Sequence, residues 1–495
     1  MPGFPAVFDL PTIVHYALFY VGALFSSALV LRMFIRTNVV RVTKVVLALL
    51  PVMWLPPLID LALTHGAGYP MAYIFVNGNA LLTALLMMGG HALFGGVTPG
   101  IKTEMAIIVI AFFSYTFVKT KKLVRALAAA TAGYLLFFAW LALPSIVAAI
   151  AGAGDPLPFL IAQFSASHLA VHFMRPFNNG SYIATLGTLF NLGISYYLYF
   201  IDLVLVVVWV MMYRPGFLKP LLENWRPERA ISYFVTIAIG TLVAARMGGV
   251  SLFSGWIDGA AFVMLFLSFL FAWFFAVAVN DIVDIGIDRI SNAARPLANG
   301  TISESEMKSA GLFFLVWSFV GAYLIGYWAL FTMMAFTAAY YVYSAPPLRL
   351  KRVPVIGTFL VALAQLAALA AGFYFVSASP FVSAFPPQLI VLTLVFFTLL
   401  TGVKDIKDID GDRAEGITTV PVILGPYAGR IVVASAVVVA FLSVPTILVS
   451  PPLFIPSLIA GALGYYFVVA EHYKEWKVFV LYFAYVAAAG IILWK

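Results

Sequence analysis

Apolar residues run almost unbroken through this chain, in stretches of about twenty separated by short polar intervals, from Thr12–Leu31 to Val480–Trp494. About 20 consecutive apolar residues are what an α-helix needs to cross a bilayer. The pattern therefore predicts an all-α polytopic membrane protein. The longest charged interval between two apolar blocks is Tyr213–Arg229, YRPGFLKPLLENWRPER. It predicts an N-terminal multi-span domain over 1–213, a linker over 214–229 and a second domain over 230–495. Downstream of the linker the pattern predicts nine spans, near 230–249, 257–280, 309–327, 329–344, 355–376, 387–403, 428–449, 453–470 and 478–494. Upstream it predicts five to seven. The five-span reading takes 12–31, 43–63, 71–94, 122–150 and 183–213, and leaves Glu104–Val118 as a run that does not cross. No Lys or Arg precedes the first apolar run and no cleavage site follows it, so that run is expected to remain as a span. The halves show no repeat of one another.

Charge turns this pattern into a topology. Only 10% of the 495 residues are charged, with a formal net charge of +8. Downstream, sixteen basic residues fall in the linker and in the loops on its side, against Arg246 and Lys495 on the other. That is the asymmetry of the positive-inside rule, and it places the linker on the cytoplasmic face of the cell membrane. The positive balance is thereby explained by membrane topology, and nucleic acid is not an expected partner. The chain has no cysteine. Disulfides, thiolate metal sites and Cys nucleophiles are excluded, which leaves carboxylates, hydroxyls and bases for any chemistry.

Two acidic clusters stand out against so apolar a background. Residues 280–296 read NDIVDIGIDRISNAARP. Asn280, Asp284 and Asp288 recur every four residues, so on a helix they share a face, with Asp281 beside them. The second cluster reads KDIKDIDGDRAEGITTVP from Lys404, with Asp405, Asp408 and Asp412 at i, i+3 and i+7. Like charges at such spacing repel unless a cation lies between them. Hard oxygen ligands suit Mg²⁺, which uses one or two carboxylates together with phosphate oxygens. Two such faces suit two magnesium ions around one diphosphate. Solvated loops are the plain alternative, but they have no need of a helical Asp register twice on one membrane face. Between the clusters lie Arg289, Arg295, Arg349, Lys351 and Arg352, cations suited to phosphate.

From about residue 225 to 495 the sequence resembles the UbiA superfamily of intramembrane prenyltransferases. The NDxxDxxxD pattern is complete at Asn280, Asp281, Asp284 and Asp288, followed by RPLANGTIS at Arg295–Ser303. A KDIxDxxGDxxxGxxTxP frame carries Asp405, Asp408, Asp412, Gly411, Gly416, Thr419 and Pro421, and YSAPPLRLKR with Tyr343 and Lys351 lies between the two. The resemblance implies a nine-helix bundle with both Asp motifs on its cytoplasmic side. It implies Mg²⁺ held by Asn280, Asp281, Asp284, Asp288, Asp405, Asp408 and Asp412, and a diphosphate bound by Asn280, Arg295, Lys351 and Lys404. Asp284, Asp288, Asp408, Asp412 and Tyr343 would then serve catalysis. The implied reaction moves a prenyl group, expected to be geranylgeranyl, from its diphosphate to an acceptor. The motif frames look most like archaeal digeranylgeranylglyceryl phosphate synthases, which implies a lipid acceptor, while the aromatic acceptors of quinone-type members are the alternative.

A transporter gated by a divalent cation is the competing class. It predicts ionisable groups near mid-membrane, whereas the downstream spans concentrate their carboxylates at helix ends. The resemblance does not reach the upstream half. There, His168 and His172 stand four apart, a spacing able to ligate heme or metal, although a structural or interfacial role beside Arg175 is the expectation. Asp60, His91 and Asp202 lie in or near apolar runs, where they would line a substrate path or join two helices, the second being the expectation. Membrane lipids are partners in either case, and a homo-oligomer formed through the upstream half is open.

Overall fold

The computed structural model describes residues 9–67, 73–89, 97–174, 182–377, 379, 381–407, 409–414 and 416–494. Among them the only regular elements are helices, as expected where lipid offers the backbone no hydrogen-bond partners. Thirteen helices in the described residues are long and apolar enough to cross a membrane. Two compact units emerge, one of Met1–Leu218 with Ser254–Ala260, the other of Lys219–Phe253 with Ala261–Lys495.

The first unit contributes five of these helices: α1 (Leu10–Ile35), α2 (Val39–Leu63), α3 (Pro99–Thr120), α4 (Leu123–Leu141) and α5 (Tyr182–Tyr213). One of them is not among the expected spans, and one expected span is missing. The span expected over 71–94 is absent from its described part, where only Gly78–Ala80 and Leu81–Leu86 are helical and both are too short to cross. Glu104–Val118, expected not to cross, lies instead inside the 22-residue α3. The Thr98 hydroxyl accepts from the Ile101 amide at 3.2 Å, and Pro99 has no amide N–H to satisfy, so the helix begins upstream of Lys102 and Glu104. One span replaces another, so the count of five is preserved. The expected 122–150 span is likewise shorter. It ends at Leu141, and a separate helix, Leu143–Ile150, starts with a proline in its first turn.

The second unit holds nine long helices in its described residues, all but the first five residues of α7 falling within it: α6 (Pro227–Gly248), α7 (Trp256–Val283), α8 (Glu304–Ile325), α9 (Tyr327–Ser344), α10 (Ile356–Val376), α11 (Pro387–Leu400), α12 (Pro426–Ile447), α13 (Phe454–Val469) and α14 (Glu475–Trp494). All but α9 are among the thirteen apolar spans. The four tyrosines of α9 lower its hydropathy, and two of them, Tyr340 and Tyr343, turn out to line a cavity.

Small residues let α6 and α10 touch backbone to backbone. A Cβ at Gly240 would overlap the Leu369 carbonyl oxygen, and one at Gly372 would overlap that of Ile237. Close approach through reciprocal glycines is the packing mode available where lipid removes the hydrophobic drive between helices. On the α6 and α10 surfaces, Gln365 Nε2 donates to Ser232 Oγ at 2.8 Å, and Thr236 Oγ1 donates to Gln365 Oε1 at 2.8 Å. These buried polar groups satisfy one another, fixing the rotation of the two helices.

Candidate active site

The first acidic cluster forms where α7 ends. Helical hydrogen bonding continues past Val283, with the Asp284 amide donating to the Asn280 carbonyl and the Asp288 amide to the Asp284 carbonyl, both at 2.9 Å. The register predicted from the four-residue spacing therefore survives, through a turn at Asp284 and into a short helix, Ile285–Ser291. The side chains do not act as one stripe. Asp281 and Asp288 share a partner, while Asp284 takes its own.

Asp281 is 1% exposed and accepts from Arg226 Nη2 at 3.1 Å, Asn224 Nδ2 at 2.5 Å and Arg295 Nη1 at 3.3 Å. Arg295 Nη1 also donates to Asp288 Oδ2 at 2.5 Å. One guanidinium nitrogen thus stands between two carboxylates, whose nearer oxygens are separated by no more than the sum of those two distances. Asp284 accepts from Arg349 Nη2 at 2.6 Å and Lys351 Nζ at 2.5 Å. Burial pushes the Asp288 carboxyl up from its ordinary value, with Arg295 acting in the opposite sense.

Two of the gripping arginines have unusual backbones. Arg226 (φ 53°) and Arg349 (φ 42°) lie in the left-handed region that side chains other than glycine rarely adopt. Strain of this kind persists where surrounding structure over-determines it, often at functional sites. For Arg226 that structure includes Pro227 at the start of α6 and the Trp225 carbonyl, which accepts from Trp273 Nε1 at 2.6 Å.

The segment from Arg295 to Ser303 is anchored at both ends, by the aspartates and by a capping box in which Ser303 and Glu306 satisfy each other's backbone amides at the start of α8. Arg289, by contrast, is exposed.

The second acidic cluster is not one continuous helical face. Thr401–Ile406 is a 3₁₀ turn carrying Lys404 and Asp405, and Asp412 lies on a separate short helix, Ile409–Ala414. Asp408 lies outside the described residues, as do His91 and Arg175. This loop is tied to the one bearing Lys351, since Thr418 donates to the Arg352 carbonyl through both its amide (3.2 Å) and its hydroxyl (2.7 Å). Lys404 Nζ donates to Tyr343 OH at 3.0 Å and lies 4.7 Å from the centre of that ring.

Below the first cluster lies a cleft of about 880 Å³, counting the solvent-open space at its mouth. Arg226, Asn280, Ser344 and Lys404 line it, and its walls carry seven aromatic rings, from Tyr233, Trp273, Tyr340, Tyr343, Phe397, Phe479 and Tyr482. The three aspartates are not in its lining. Of the cations that hold them Arg226 alone is in that lining, so Arg226 and Asn280 are the first-cluster contacts that reach the cleft.

This end of the second unit therefore joins clustered carboxylates and cations to a deep aromatic cleft, the combination needed for a charged head with a long apolar tail. A profile of the UbiA prenyltransferase family matches residues 233–485. The chain belongs to this family. It is an integral membrane protein, with the family region falling in its second unit apart from Ser254–Ala260.

Among relatives, it is 26% identical to a digeranylgeranylglyceryl phosphate synthase of Methanobrevibacter smithii over 45% of this chain and 75% of that one. It is 29% identical to a chloroplast chlorophyll synthase of Avena sativa over 35% and 47%, and 30% identical to a homogentisate solanesyltransferase of Arabidopsis thaliana over 30% and 41%. The chain thus spans about half the length, or less, of the two plant relatives. A solved UbiA homolog from Archaeoglobus fulgidus, bound to GPP and Mg²⁺, aligns at 20% identity with a TM-score of 0.41, over 54% of this chain and 98% of that one.

Several residues of the site were not singled out by sequence. Asn224 and Arg226 belong to the expected linker, where a basic residue reads as topology. Arg229 lines the cleft and donates to Glu475 at 2.8 Å, and Lys407 also pairs with Glu475. A lone carboxylate at the start of the last apolar run was the available signal for that network.

The upstream candidates resolve differently. His168 lies on a turn and His172 on the short helix Ala170–Met174, so they do not share one helix face. The His168 amide donates to Asp258 Oδ1 at 3.0 Å, and its Nε2 lies 3.1 Å from Ser254 Oγ. Asp60 accepts from the Gly100 amide at 2.9 Å, at the start of α3.

Proposed function

We propose that this protein is a Mg²⁺-dependent intramembrane prenyltransferase, moving a polyprenyl group, geranylgeranyl in the first instance, from its diphosphate to a lipid acceptor such as geranylgeranylglyceryl phosphate. The observation that carries this reading is the array of buried Asp281, Asp284 and Asp288 paired with Arg226, Arg295, Arg349 and Lys351, joined to an aromatic cleft through Arg226 and Asn280. The charge asymmetry supports a cytoplasmic position for this array.

In donor type the residues present suit a divalent ion, although among the described residues no three carboxylates or imidazoles already converge on one point. Carboxylate and amide oxygens are hard donors, and Asp281 and Asp288 already hold one cationic nitrogen between them. Asn280, Asp281, Asp284 and Asp288 from the first cluster, with Asp405, Asp408 and Asp412 from the second, would hold the metal. Magnesium, when bound, neutralises charge on the diphosphate oxygens.

The protein's own groups account for the rest. Arg295, Lys351 and Lys404 bind diphosphate oxygens and steady the negative charge that grows as the allylic C–O bond breaks. The electron-rich faces of Tyr340, Tyr343 and Trp273 stand where positive charge develops on the prenyl carbon. Apolar walls keep water from capturing that carbon ahead of the acceptor. Tyr343, held by Lys404, is positioned between the head and the cleft.

An aromatic acceptor is the second reading, favoured by the similarity to chlorophyll synthase and homogentisate solanesyltransferase. Purified protein supplied with geranylgeranyl diphosphate, Mg²⁺ and either geranylgeranylglyceryl phosphate or 4-hydroxybenzoate separates the two by which acceptor drives pyrophosphate release. Release with neither, and no Mg²⁺-dependent diphosphate binding, would end the prenyltransferase reading.

A further inference from the structure

A second cavity opens on the far side of the Tyr343–Lys404 pair. It measures about 770 Å³ with its solvent-open space, and Tyr343 and Lys404 line both cavities. The two differ in chemistry. Tyr343 is the single aromatic residue in the described lining of the second, against seven in the first. Its remaining walls are aliphatic, interrupted by Lys351, Asp405 and the threonines.

Two of those threonines are anomalous. The hydroxyls of Thr398 and Thr419 are buried and meet no hydrogen-bond partner among the described residues. A buried hydroxyl left without a partner is costly, and native structures usually satisfy it. Thr398 is on α11 and Thr419 follows the second Asp cluster, so two distant segments bring residues with unsatisfied buried hydroxyls to the lining of one cavity. Lys351 and Lys404 stand in the same lining. Each makes one of the bonds described above, and an ammonium has three donors.

We propose that this second cavity binds the headgroup of the acceptor lipid, a phosphorylated polyol, with its phosphate against the donors of Lys351 and Lys404 that the diphosphate leaves free and its oxygens bonded to Thr398 and Thr419. This rests on the prenyltransferase reading and deepens it. The prenyl chain takes the aromatic cleft, the non-aromatic headgroup takes the hydroxyl-lined cavity, and the Tyr343–Lys404 pair is the wall at which they meet. An aromatic acceptor would gain little from walls with one ring.

Gly402 provides a test that spares the residues assigned to chemistry. It lines the second cavity alone, and a Cβ added there meets nothing nearer than Val433, at 3.9 Å. Gly402→Leu should therefore fold while filling the cavity. The double variant Thr398→Val/Thr419→Val removes both hydroxyls at constant shape. With protein in nanodiscs, the KM for geranylgeranylglyceryl phosphate should rise about tenfold in the double variant, from two lost hydrogen bonds, and further in Gly402→Leu. Mg²⁺-dependent affinity for geranylgeranyl diphosphate should stay within about twofold in both, the size of effect expected away from the donor site.

An unchanged acceptor KM, or a donor affinity falling in step with it, would overturn the proposal. Failure of the underlying reading looks different, because wild-type protein would then release no pyrophosphate with any acceptor. Equilibrium binding of geranylgeranylglyceryl phosphate alone still decides the cavity in that event. Binding to wild type that is lost in Gly402→Leu supports the site, and equal binding, or none to wild type, refutes it.

Discussion

Buried carboxylates occur in both units, and they behave differently. In the second unit Asp281, Asp284 and Asp288 sit at a helix end, each against at least one cation, beside a cleft. In the first unit Asp60 holds the amide that starts α3, and Asp202, on α5, is wholly buried with no donor to either oxygen among the described residues. The Asp202 carboxyl packs instead against Gly22 and the Trp140 ring. Burial alone therefore does not mark chemistry in this protein. What separates the two sets is the company of cations: a carboxylate held by Arg or Lys side chains can exchange that partner for metal or release it to phosphate, whereas one that accepts from a helix amide cannot leave without loosening the helix.

The contrast can be broken most forcefully at Asp284. Asp284→Asn keeps the shape but removes the charge that Arg349 and Lys351 share, and transfer should fall by about a hundredfold or more, the scale of losing one preorganised electrostatic group. Pyrophosphate release measures it, and near-normal rates in folded protein would remove Asp284 from the site. Arg295→Ala unlinks Asp281 from Asp288 and deletes a diphosphate contact, so the KM for prenyl diphosphate should rise about tenfold or more. If only melting temperature falls, Arg295 is structural. Tyr343→Phe keeps the ring and loses the hydroxyl that accepts from Lys404, which predicts a several-fold loss in kcat.

Two first-unit variants sharpen the comparison from the other side. Asp60→Ala should cost about 1 kcal/mol of stability through the lost helix-start hydrogen bond, read by thermal unfolding, and leave the rate of transfer alone. Asp202→Asn is close to isosteric and removes a buried carboxyl that no described donor satisfies, so stability should hold or rise, with no change in transfer. A large loss of transfer on Asp202→Asn would show that a buried carboxylate without a cation can also serve function.

The second unit was the more legible in sequence, for an identifiable reason. On one side its helices are joined by loops rich in Arg, Lys and Asp, so one end of each is marked twice, by loss of hydropathy and by charge. In the first unit the Asn77–Asn79 stretch and Gly89 lie within an apolar segment that composition alone reads as one span, while Lys102 and Glu104 near the start of α3 make a real helix read as too short. The same limit applies to α9, where the tyrosines that line the cleft dilute the apolar signal. At the Asp clusters, spacing revealed the helical register of Asn280, Asp284 and Asp288. It could not reveal that Asp288 would share a guanidinium with Asp281 rather than with Asp284, because that depends on where the segment after Ser291 returns.

Composition and local order were enough to specify an all-helical membrane chain with two Asp-rich clusters and basic loops between them, since span length, helical period and charge asymmetry are properties of neighbouring residues. Tertiary structure alone decided which cation each aspartate meets, that linker residues Asn224 and Arg226 close over Asp281, and that Tyr343 and Lys404 stand between two cavities of unlike chemistry. Those contacts join residues up to 67 positions apart. No local pattern encodes them, because they follow from how helices pack through features such as Gly240 and Gly372, and packing is a property of the whole bundle.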